Sequence, residues 1–226
     1  MKGHRSVAID GPSGAGKSSI ARRTAKTLGF IYVDTGAIYR TVGLAVRRAE
    51  IGSRDIEKIT DLLPTLDIAL RYAENGEQRM FLNGEDVSEE IRTPEISIYA
   101  SDVSAFPEVR AYLMETQRRL ARENDVIMDG RDIGTVVLPD AGLKIFLTAS
   151  PEARARRRLL ELQEKGQTVD YEEVLRDIQY RDHNDSSRTA APLKQADDAL
   201  LLDTTHIDFE ESCAAVEKMI RERFDI

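Results

Sequence analysis

The chain has 226 residues, 41% hydrophobic and 32% charged, a balance typical of one folded domain or two small ones rather than of disorder. Its 32 basic and 40 acidic residues give a net charge of −8, which argues against general binding to nucleic acid or anionic membranes but not against one anionic ligand. The single cysteine, Cys213, excludes an internal disulfide and favours a reducing cytoplasm, and no apolar run approaches the roughly 18 residues that span a bilayer.

Short apolar runs alternate with amphipathic helical patterns along most of the chain. Residues 6–9 form an apolar run that ends at Asp10, the pattern of a buried parallel strand, and helical spacing follows over 17–28. Strands that alternate with helices predict an α/β fold with a parallel sheet covered on both faces. The further predicted elements are strands at 30–33, 126–128, 143–147 and 199–202, a helix at 37–49, and a final helix from an Asp208 N-cap to Phe224.

Between residues 66 and 87 this alternation is interrupted. Two Asn-Gly pairs, Asn75-Gly76 and Asn83-Gly84, are flanked by alternating apolar residues, which is the strongest short-range signal for a β-hairpin. We predict a small antiparallel meander of three short strands, inserted into the α/β core. The alternative is a surface ornament without function.

A second departure from the pattern covers residues 150–188. Ser150 and Pro151 provide a cap and a first helical position, and a second helix is predicted from about 170 to 183. As a group, the arginines of the first helix predict a lid that faces phosphate. Any single one could instead lie on a solvated face, for example Arg157 in an ion pair with Glu161. These arginines are Arg154, Arg156, Arg157 and Arg158.

The segment between the first strand and the first helix carries the clearest chemical motif. It fits the P-loop pattern of Gly, four residues and Gly-Lys-Ser, at the strand-to-helix junction where that pattern binds phosphate. Backbone N–H groups can turn toward phosphate oxygens there, Lys17 can reach the β and γ phosphates, and the Ser18 hydroxyl can ligate Mg²⁺. The sequence therefore predicts binding of a nucleoside triphosphate. The predicted ATP-binding residues are Gly11, Pro12, Ser13, Gly14, Ala15, Gly16, Lys17, Ser18 and Ser19.

The acceptor of the γ-phosphate has to be inferred from other segments. The Asn-Lys-x-Asp and Asp-x-x-Gly strings of a GTPase switch do not occur, and the length leaves little room for a motor. Arg40 and Arg131 follow two predicted strands, at the sheet edge where α/β proteins bind ligands, and guanidinium groups suit an acceptor that carries phosphate. Such an acceptor needs no general base, whereas a non-nucleotide hydroxyl acceptor would need a carboxylate such as Asp34. A nucleotide-binding regulator without transfer activity is a third alternative.

Four motifs together resemble bacterial cytidylate kinases, and the resemblance extends over nearly the whole chain. They are Gly-Pro-Ser-Gly-Ala-Gly-Lys at 11–17, Asp-Thr-Gly-Ala-Ile-Tyr-Arg at 34–40, Gly-Arg-Asp-Ile-Gly-Thr-Val-Val at 130–137 and Ala-Pro-Leu at 191–193. The resemblance implies a P-loop NTPase fold with a central five-stranded parallel sheet. It also implies transfer of the ATP γ-phosphate to CMP or dCMP with Mg²⁺. Since no long apolar surface helix stands out and the chain is acidic, we expect a monomer that binds neither nucleic acid nor membrane.

The same resemblance implies a kinase of three parts. The meander predicted above resembles the monophosphate-binding insert of the bacterial type, which favours a functional role over an ornament. A helical lid would cover the transferring phosphate. The implied division is a P-loop core at 1–63, 93–149 and 189–226, an insert at 64–92 and a lid at 150–188.

Roles for individual residues also follow from the resemblance. Asp132 and Arg110 would read the cytosine edge with Ser101, since a carboxylate beside an arginine can distinguish cytosine from uracil. From the residues alone, Ser101 and Arg110 are more simply surface positions on a helix. The implied CMP-binding residues are Thr35, Arg40, Ser101, Arg110, Arg131, Asp132, Asp185 and Arg188.

The implied catalytic residues would stabilise the charge of the transferring phosphate. Arg157 and Arg181 are the candidates from the lid, in competition with the neighbouring arginines of the first lid helix. Asp129 remains open between a carboxylate on the magnesium side and a structural acid at a strand end. The implied catalytic set is Lys17, Arg131, Arg157 and Arg181.

Overall fold

The central feature of the computed structural model, which describes residues 4–74, 76–164 and 166–226, is a five-stranded parallel sheet. Its strand order is β2-β6-β1-β7-β8, and a separate three-stranded antiparallel sheet has the order β3-β4-β5. This is the predicted α/β architecture. The strands are β1 Ser6–Asp10, β2 Ile31–Asp34, β3 Ile68–Tyr72, β4 Gln78–Leu82, β5 Glu85–Asp86, β6 Val126–Gly130, β7 Leu143–Thr148 and β8 Leu200–Asp203.

Helices cover both faces of the parallel sheet. One apolar core lies against α2, α4 and α5, and a second lies against α1 and α8, with the middle strands buried between them. Burial on both faces explains why these strands are continuously apolar rather than alternating. The helices are α1 Lys17–Leu28, α2 Thr35–Arg48, α3 Ile56–Leu62, α4 Pro94–Val103, α5 Pro107–Glu123, α6 Pro151–Glu164, α7 Tyr171–Ser187 and α8 Phe209–Phe224.

The register of the parallel strands brings their carboxyl ends to one edge. Asp10 of β1 pairs with Gly130 of β6, and Asp34 of β2 pairs with Asp129 of β6. The P-loop, the start of α2 and the segment that begins at Arg131 therefore leave the sheet side by side. This edge is where ligands bind in open α/β sheets.

The inserted meander forms as predicted. β4 pairs antiparallel with both β3 and β5. Asn83 and Gly84 connect β4 to β5 with φ values of 51° and 84°, the left-handed backbone that makes Asn-Gly the preferred pair in such turns. Asn75 of the other predicted turn lies outside the described residues. The Gln78 side chain accepts a hydrogen bond from the Asp34 backbone N–H at 2.8 Å, which joins the meander to the ligand edge of the sheet.

Two helix boundaries differ from the prediction by two residues or more. Helix α2 begins at Thr35 rather than at residue 37, because the Asp34 carboxylate caps it by accepting the Ala37 N–H. Helix α7 continues to Ser187, four residues beyond the predicted end. The Asp208 cap of α8 is confirmed, with a full capping box that includes Glu211.

Helices α6 and α7 pack against each other through a small apolar cluster that includes Ala155, Val174 and Ile178. The predicted cap is present, since Ser150 Oγ accepts the Ala153 N–H at 3.2 Å. The ion pair with Glu161 is made by Arg158 at 3.0 Å rather than by Arg157.

Within the described ranges no helix is long and apolar enough to cross a membrane.

Candidate active site

The P-loop turns between β1 and α1 in a conformation that requires glycine. Gly11 has a φ of 153°, and a Cβ there would lie 1.9 Å from the carbonyl oxygen of Leu147 in the adjacent strand. Lys17 opens α1, is 5% exposed, and donates a hydrogen bond from Nζ to the Pro12 carbonyl at 2.8 Å. The backbone therefore has the order of strand, glycine-containing loop and helix that the sequence motif predicts.

Burial and the nearby Arg131 guanidinium lower the pKa of Lys17 below its ordinary value. The carboxylates of Asp129, Asp185 and Asp10 oppose that shift. An ammonium held in so dry a place interacts strongly with any added negative charge. The site is therefore prepared for an anion beside Lys17.

Asp129 connects the P-loop to the strand beside it. Its Oδ2 accepts a hydrogen bond from Ser18 Oγ at 2.8 Å, and its Oδ1 accepts one from Tyr32 at 2.9 Å. Burial raises the pKa of Asp129, so the carboxylate depends on these donors and on Lys17. The Asp129 backbone carbonyl accepts a hydrogen bond from the Thr35 hydroxyl at 2.8 Å. The hydroxyl proton of Thr35 is therefore used within the protein and is not donated to a ligand in this arrangement.

A group of arginines and aspartates lies near Lys17, on the segment after β6, on α7 and at the start of α2. Arg131 Nε donates a hydrogen bond to Asp185 Oδ2 at 2.6 Å. Burial lowers the pKa of Arg181, the nearby Arg131 charge lowers it further, and the Asp185 carboxylate opposes the shift. Burial alone would raise the pKa of Asp185, but the Arg131 guanidinium brings it below its ordinary value. After burial and Arg131, the positive charge of Arg40 also contributes to the lowered pKa of Arg181. The Arg40 guanidinium itself donates a hydrogen bond to the Asp34 carboxylate at 2.9 Å. The structure thus brings together the predicted Arg40, Arg131, Arg181 and Asp185.

A buried ion pair stands beside this group. Arg110 donates to Asp132 Oδ2, both side chains are 6% exposed, and Arg188 lies 3.6 Å from Asp132 Oδ1. Burial raises the pKa of Asp132, and the two guanidinium groups oppose the rise. Arg110 is therefore a buried ion-pair partner, and its interpretation as a surface position is wrong.

An open cavity of about 360 Å³ adjoins the ion pair. Ser101, Asp185 and Arg188 line it, with residues of α4 and α7 around them. Arg188 Nη2, which has only its 3.6 Å ion pair with Asp132, and Arg40 Nε, which does not line the cavity, are buried donors without a hydrogen-bond partner among the described residues. Buried donors of this kind are costly unless a ligand accepts from them, which marks this region as a site for an anion.

Arg157 does not join the arginine–aspartate group. Its guanidinium donates to the Thr204 hydroxyl at 3.1 Å, to the Thr204 carbonyl and to the Ile207 carbonyl at 3.5 Å. These contacts tie α6 to the segment after β8. The pattern of four neighbouring arginines could not show which of them points in this direction.

Two further residues of the site have no motif of their own. Asp10 Oδ1 and Oδ2 accept the backbone N–H groups of Ile133 and Gly134 at 2.8 and 2.7 Å, and so fix the segment that follows Arg131 and Asp132. Arg154 is 3% exposed and reaches from α6 to the P-loop. For Asp10 the only signal in the sequence is an acid that ends an otherwise apolar strand.

Asp10 gives the folded protein a measurable pH dependence. Burial raises its pKa to about 6, so between about pH 4 and pH 6 the folded state binds a proton that the unfolded state lacks. Its contribution to the free energy of unfolding therefore falls as pH rises through this window and is constant above about pH 7. In urea titrations, the stability of the wild type relative to Asp10→Asn should fall by about 1 kcal/mol from pH 5 to pH 7.5. A difference that does not vary with pH would contradict the raised pKa.

Comparisons with known proteins identify relatives over almost the entire chain. The family model described as cytidylate kinase matches residues 7–222. A cytidylate kinase of Caldicellulosiruptor saccharolyticus is 54% identical over 205 residues, 91% of this chain and 90% of that protein. A cytidylate kinase of Caldanaerobacter subterraneus subsp. tengcongensis is 54% identical over 215 residues, 95% and 94% of the two chains.

Solved structures agree at the level of the fold. The crystal structure of an uncharacterized protein from Eubacterium ventriosum matches with a TM-score of 0.50 and 11% identity, over 98% of this chain and 99% of that one. Likeness at such low identity concerns the fold alone. It agrees with the α/β architecture that the strand order already shows.

Proposed function

This chain belongs to the cytidylate kinase family, and we propose that it uses the P-loop and the arginine–aspartate groups described above to transfer the γ-phosphate of ATP to CMP or dCMP. The observation that carries the proposal is the convergence of Lys17, the Arg131–Asp185 pair and the Arg110–Asp132 pair at one edge of the sheet. A site for a triphosphate and a site for a phosphate-bearing acceptor therefore adjoin each other.

The acceptor is proposed to lie between α4 and α7, in the cavity that Ser101 and Arg188 line. Cytosine offers an exocyclic amine, a donor that suits the Asp132 carboxylate, beside an acceptor edge that suits Arg110. Because the Arg110–Asp132 pair is buried, a base with the wrong donor pattern leaves one of its polar groups unpaired. The buried donors of Arg188 and Arg40 that lack a hydrogen-bond partner are proposed to bind the acceptor phosphate.

Catalysis in this proposal is positioning and neutralisation of charge. Lys17 and Arg131 supply positive charge in a place sheltered from water, and Arg181 adds a third cation from α7. Arg157 is bound to Thr204 and Ile207, so Arg181 is the lid arginine to which we assign this part. Thr35 positions the start of α2 through its bond to Asp129, and a bond to the acceptor would require its hydroxyl to turn.

A Mg²⁺ ion bound with ATP is part of the proposal. Mg²⁺ typically takes one or two protein oxygens and completes its shell with phosphates and water. The Ser18 hydroxyl and the Asp129 carboxylate, 2.8 Å apart, are such oxygens and would hold it. When bound, the ion neutralises charge on the β and γ phosphates. The described part of the chain contains no group of three or more His, Cys, Asp or Glu side chains that could hold a metal ion. The proposal therefore does not include a metal site formed by protein side chains alone.

A hydroxyl acceptor is not favoured. Its proton would need a carboxylate, and the candidate Asp34 accepts the Ala37 N–H at the start of α2 and pairs with Arg40. Both roles are structural and keep the carboxylate turned toward α2. A phosphate acceptor, which brings its own anionic nucleophile, makes no such demand.

We further propose that residues 64–92 and 150–188 close over the substrates as insert and lid, with 1–63, 93–149 and 189–226 as the core. Closure would exclude water from the γ-phosphate. The acidic net charge and the single cysteine support a cytoplasmic protein that acts on nucleotides without binding nucleic acid or membrane, and we propose that it is a monomer.

A coupled assay of ADP release tests the proposed function. Protein, Mg²⁺ and ATP are combined in turn with CMP, dCMP, UMP, AMP, GMP and a hydroxyl acceptor such as shikimate. We expect rapid turnover on CMP and dCMP, weak turnover on UMP and none on the purines or on shikimate. ATP binding without turnover on any monophosphate would contradict the proposal, and turnover on the hydroxyl acceptor would favour the alternative.

A further inference from the structure

Arg154 connects the P-loop to both lid helices through one buried side chain. Its Nε donates to the Ala149 carbonyl at 2.8 Å, and its Nη1 donates to the Ser13 carbonyl in the P-loop at 2.9 Å. Its Nη1 and Nη2 also bind the two carboxylate oxygens of Asp182, at 2.9 and 2.6 Å. Four directed bonds on a side chain that is 3% exposed hold three segments of the chain in one arrangement.

The P-loop also packs directly on these helices. Gly14 has a φ of 73°, and a Cβ placed there would lie 3.4 Å from Arg154 Cβ and 3.8 Å from Ile178 Cδ1. Ile178 belongs to the apolar contact between α6 and α7. The backbone of the P-loop therefore rests on the same surface that joins the two helices.

Asp182 lies in α7 beside Arg181 and three residues before Asp185. These two neighbours face Arg131 at the acceptor side of the site. A bond to Asp182 thus sets the position of the residues that meet the acceptor, although Asp182 itself is bound to Arg154. The chain of contacts runs from Ser13 through Arg154 to α7.

We propose that Arg154 and Asp182 are positioning residues through which an occupied P-loop favours the arrangement of α7 that binds CMP. Phosphates bound by the P-loop N–H groups fix the position of the loop, including the Ser13 carbonyl. Because the planar Arg154 guanidinium is bonded to that carbonyl and to Asp182, a fixed loop also fixes the position of Asp182. CMP then binds a helix that is already placed, so its apparent affinity rises. By thermodynamic linkage CMP strengthens ATP binding by the same factor. This inference rests on the proposed function.

Binding measurements on Asp182→Asn test the inference. The dissociation constant of CMP is measured by calorimetry with Mg²⁺ alone and with Mg²⁺ plus β,γ-imido-ATP, which cannot transfer its phosphate. For the wild type we expect CMP to bind at least about fivefold more tightly in the presence of the analogue. Asp182→Asn keeps the shape but removes the charge and one of the two bonds. We define the coupling factor as the CMP dissociation constant without the analogue divided by that with it. In Asp182→Asn we expect this coupling factor to fall to about one, with CMP affinity in the absence of the analogue nearly unchanged.

Asp177→Asn is the matched control, because Asp177 is an exposed carboxylate on the same helix. It should keep the wild-type factor. Arg154→Lys keeps the charge but loses the paired geometry, so it should behave like Asp182→Asn. A wild-type factor of one, or an Asp182→Asn protein that loses thermal stability but keeps the factor, would overturn the inference. Wild-type protein that binds neither CMP nor the analogue would instead remove the proposed function on which the inference rests.

Discussion

Replacement of Lys17 by methionine should lower kcat by about a thousandfold and leave the protein folded. Lys17 is 5% exposed at the start of α1, where it brings positive charge to the P-loop from a place sheltered from water. Charge in such surroundings acts on a transferring phosphate far more strongly than it would in water. Methionine has similar length and no charge, so the change removes the electrostatic contribution with little change in volume.

The stability of the Lys17→Met protein should stay close to that of the wild type. The variant loses the hydrogen bond to the Pro12 carbonyl, but it also removes an ammonium whose burial is costly, as the lowered pKa of Lys17 indicates. These two effects oppose each other. Loss of activity with an unchanged melting temperature therefore reports on chemistry rather than on unfolding.

Lys26→Met is the matched control, because Lys26 is an exposed lysine on the same helix. Steady-state turnover with saturating ATP and CMP, together with thermal melts of all three proteins, makes the comparison. The control should keep kcat within about twofold, as expected for a surface change. If Lys17→Met retained a tenth or more of wild-type kcat, the proposed role of this lysine would be wrong.

Local signals in the sequence predict the fold and the strand–loop–helix backbone of the P-loop. The P-loop is contiguous, and its strand, glycines and helix all lie within residues 6–28. The Asn83-Gly84 turn and the Asp208 cap are likewise encoded by a few neighbouring residues. Patterns of this kind depend on neighbouring residues rather than on contacts between distant segments, which is why the sequence alone predicts them.

The acceptor side depends on contacts between distant segments. Arg110 and Asp132 are 22 residues apart, and Arg154 and Asp182 are 28 apart, with no periodicity that connects them. Only the packing of the helices on the sheet decides which arginine meets which aspartate. The family resemblance assigns Arg110 and Asp132 to the cytosine edge but does not predict their ion pair. Nothing in the sequence indicates the second pair, because four neighbouring arginines in α6 look equivalent.

The first two turns of α6 illustrate the same limit. Arg154 and Arg157 are three residues apart, about one helical turn, yet one reaches the P-loop and the other reaches Thr204 beyond β8. A helical pattern places both on one side of the helix. It does not state what lies opposite each of them, because that depends on how α6 sits between α7 and β8.

Replacement of Asp132 by asparagine should reduce the preference for CMP over UMP at least about tenfold, and kcat/KM for CMP about a hundredfold. The wild-type carboxylate accepts only, so it suits the amine of cytosine and repels the carbonyl oxygen that uracil carries at the same position. Asparagine can accept or donate, and its amide can therefore serve uracil. Arg110, buried beside it, also loses its ionic partner, which weakens binding of either base.

The ratio of kcat/KM for CMP to kcat/KM for UMP is the decisive measurement, because both values come from the same protein sample and a loss of folded enzyme cancels. Glu222→Gln provides the control, since Glu222 pairs with Lys218 on the exposed face of α8. Its ratio should equal that of the wild type. If Asp132→Asn lost activity toward both substrates by the same factor, Asp132 would support Arg110 without reading the base. Discrimination would then have to come from the hydroxyl of Ser101 and from Arg110 alone.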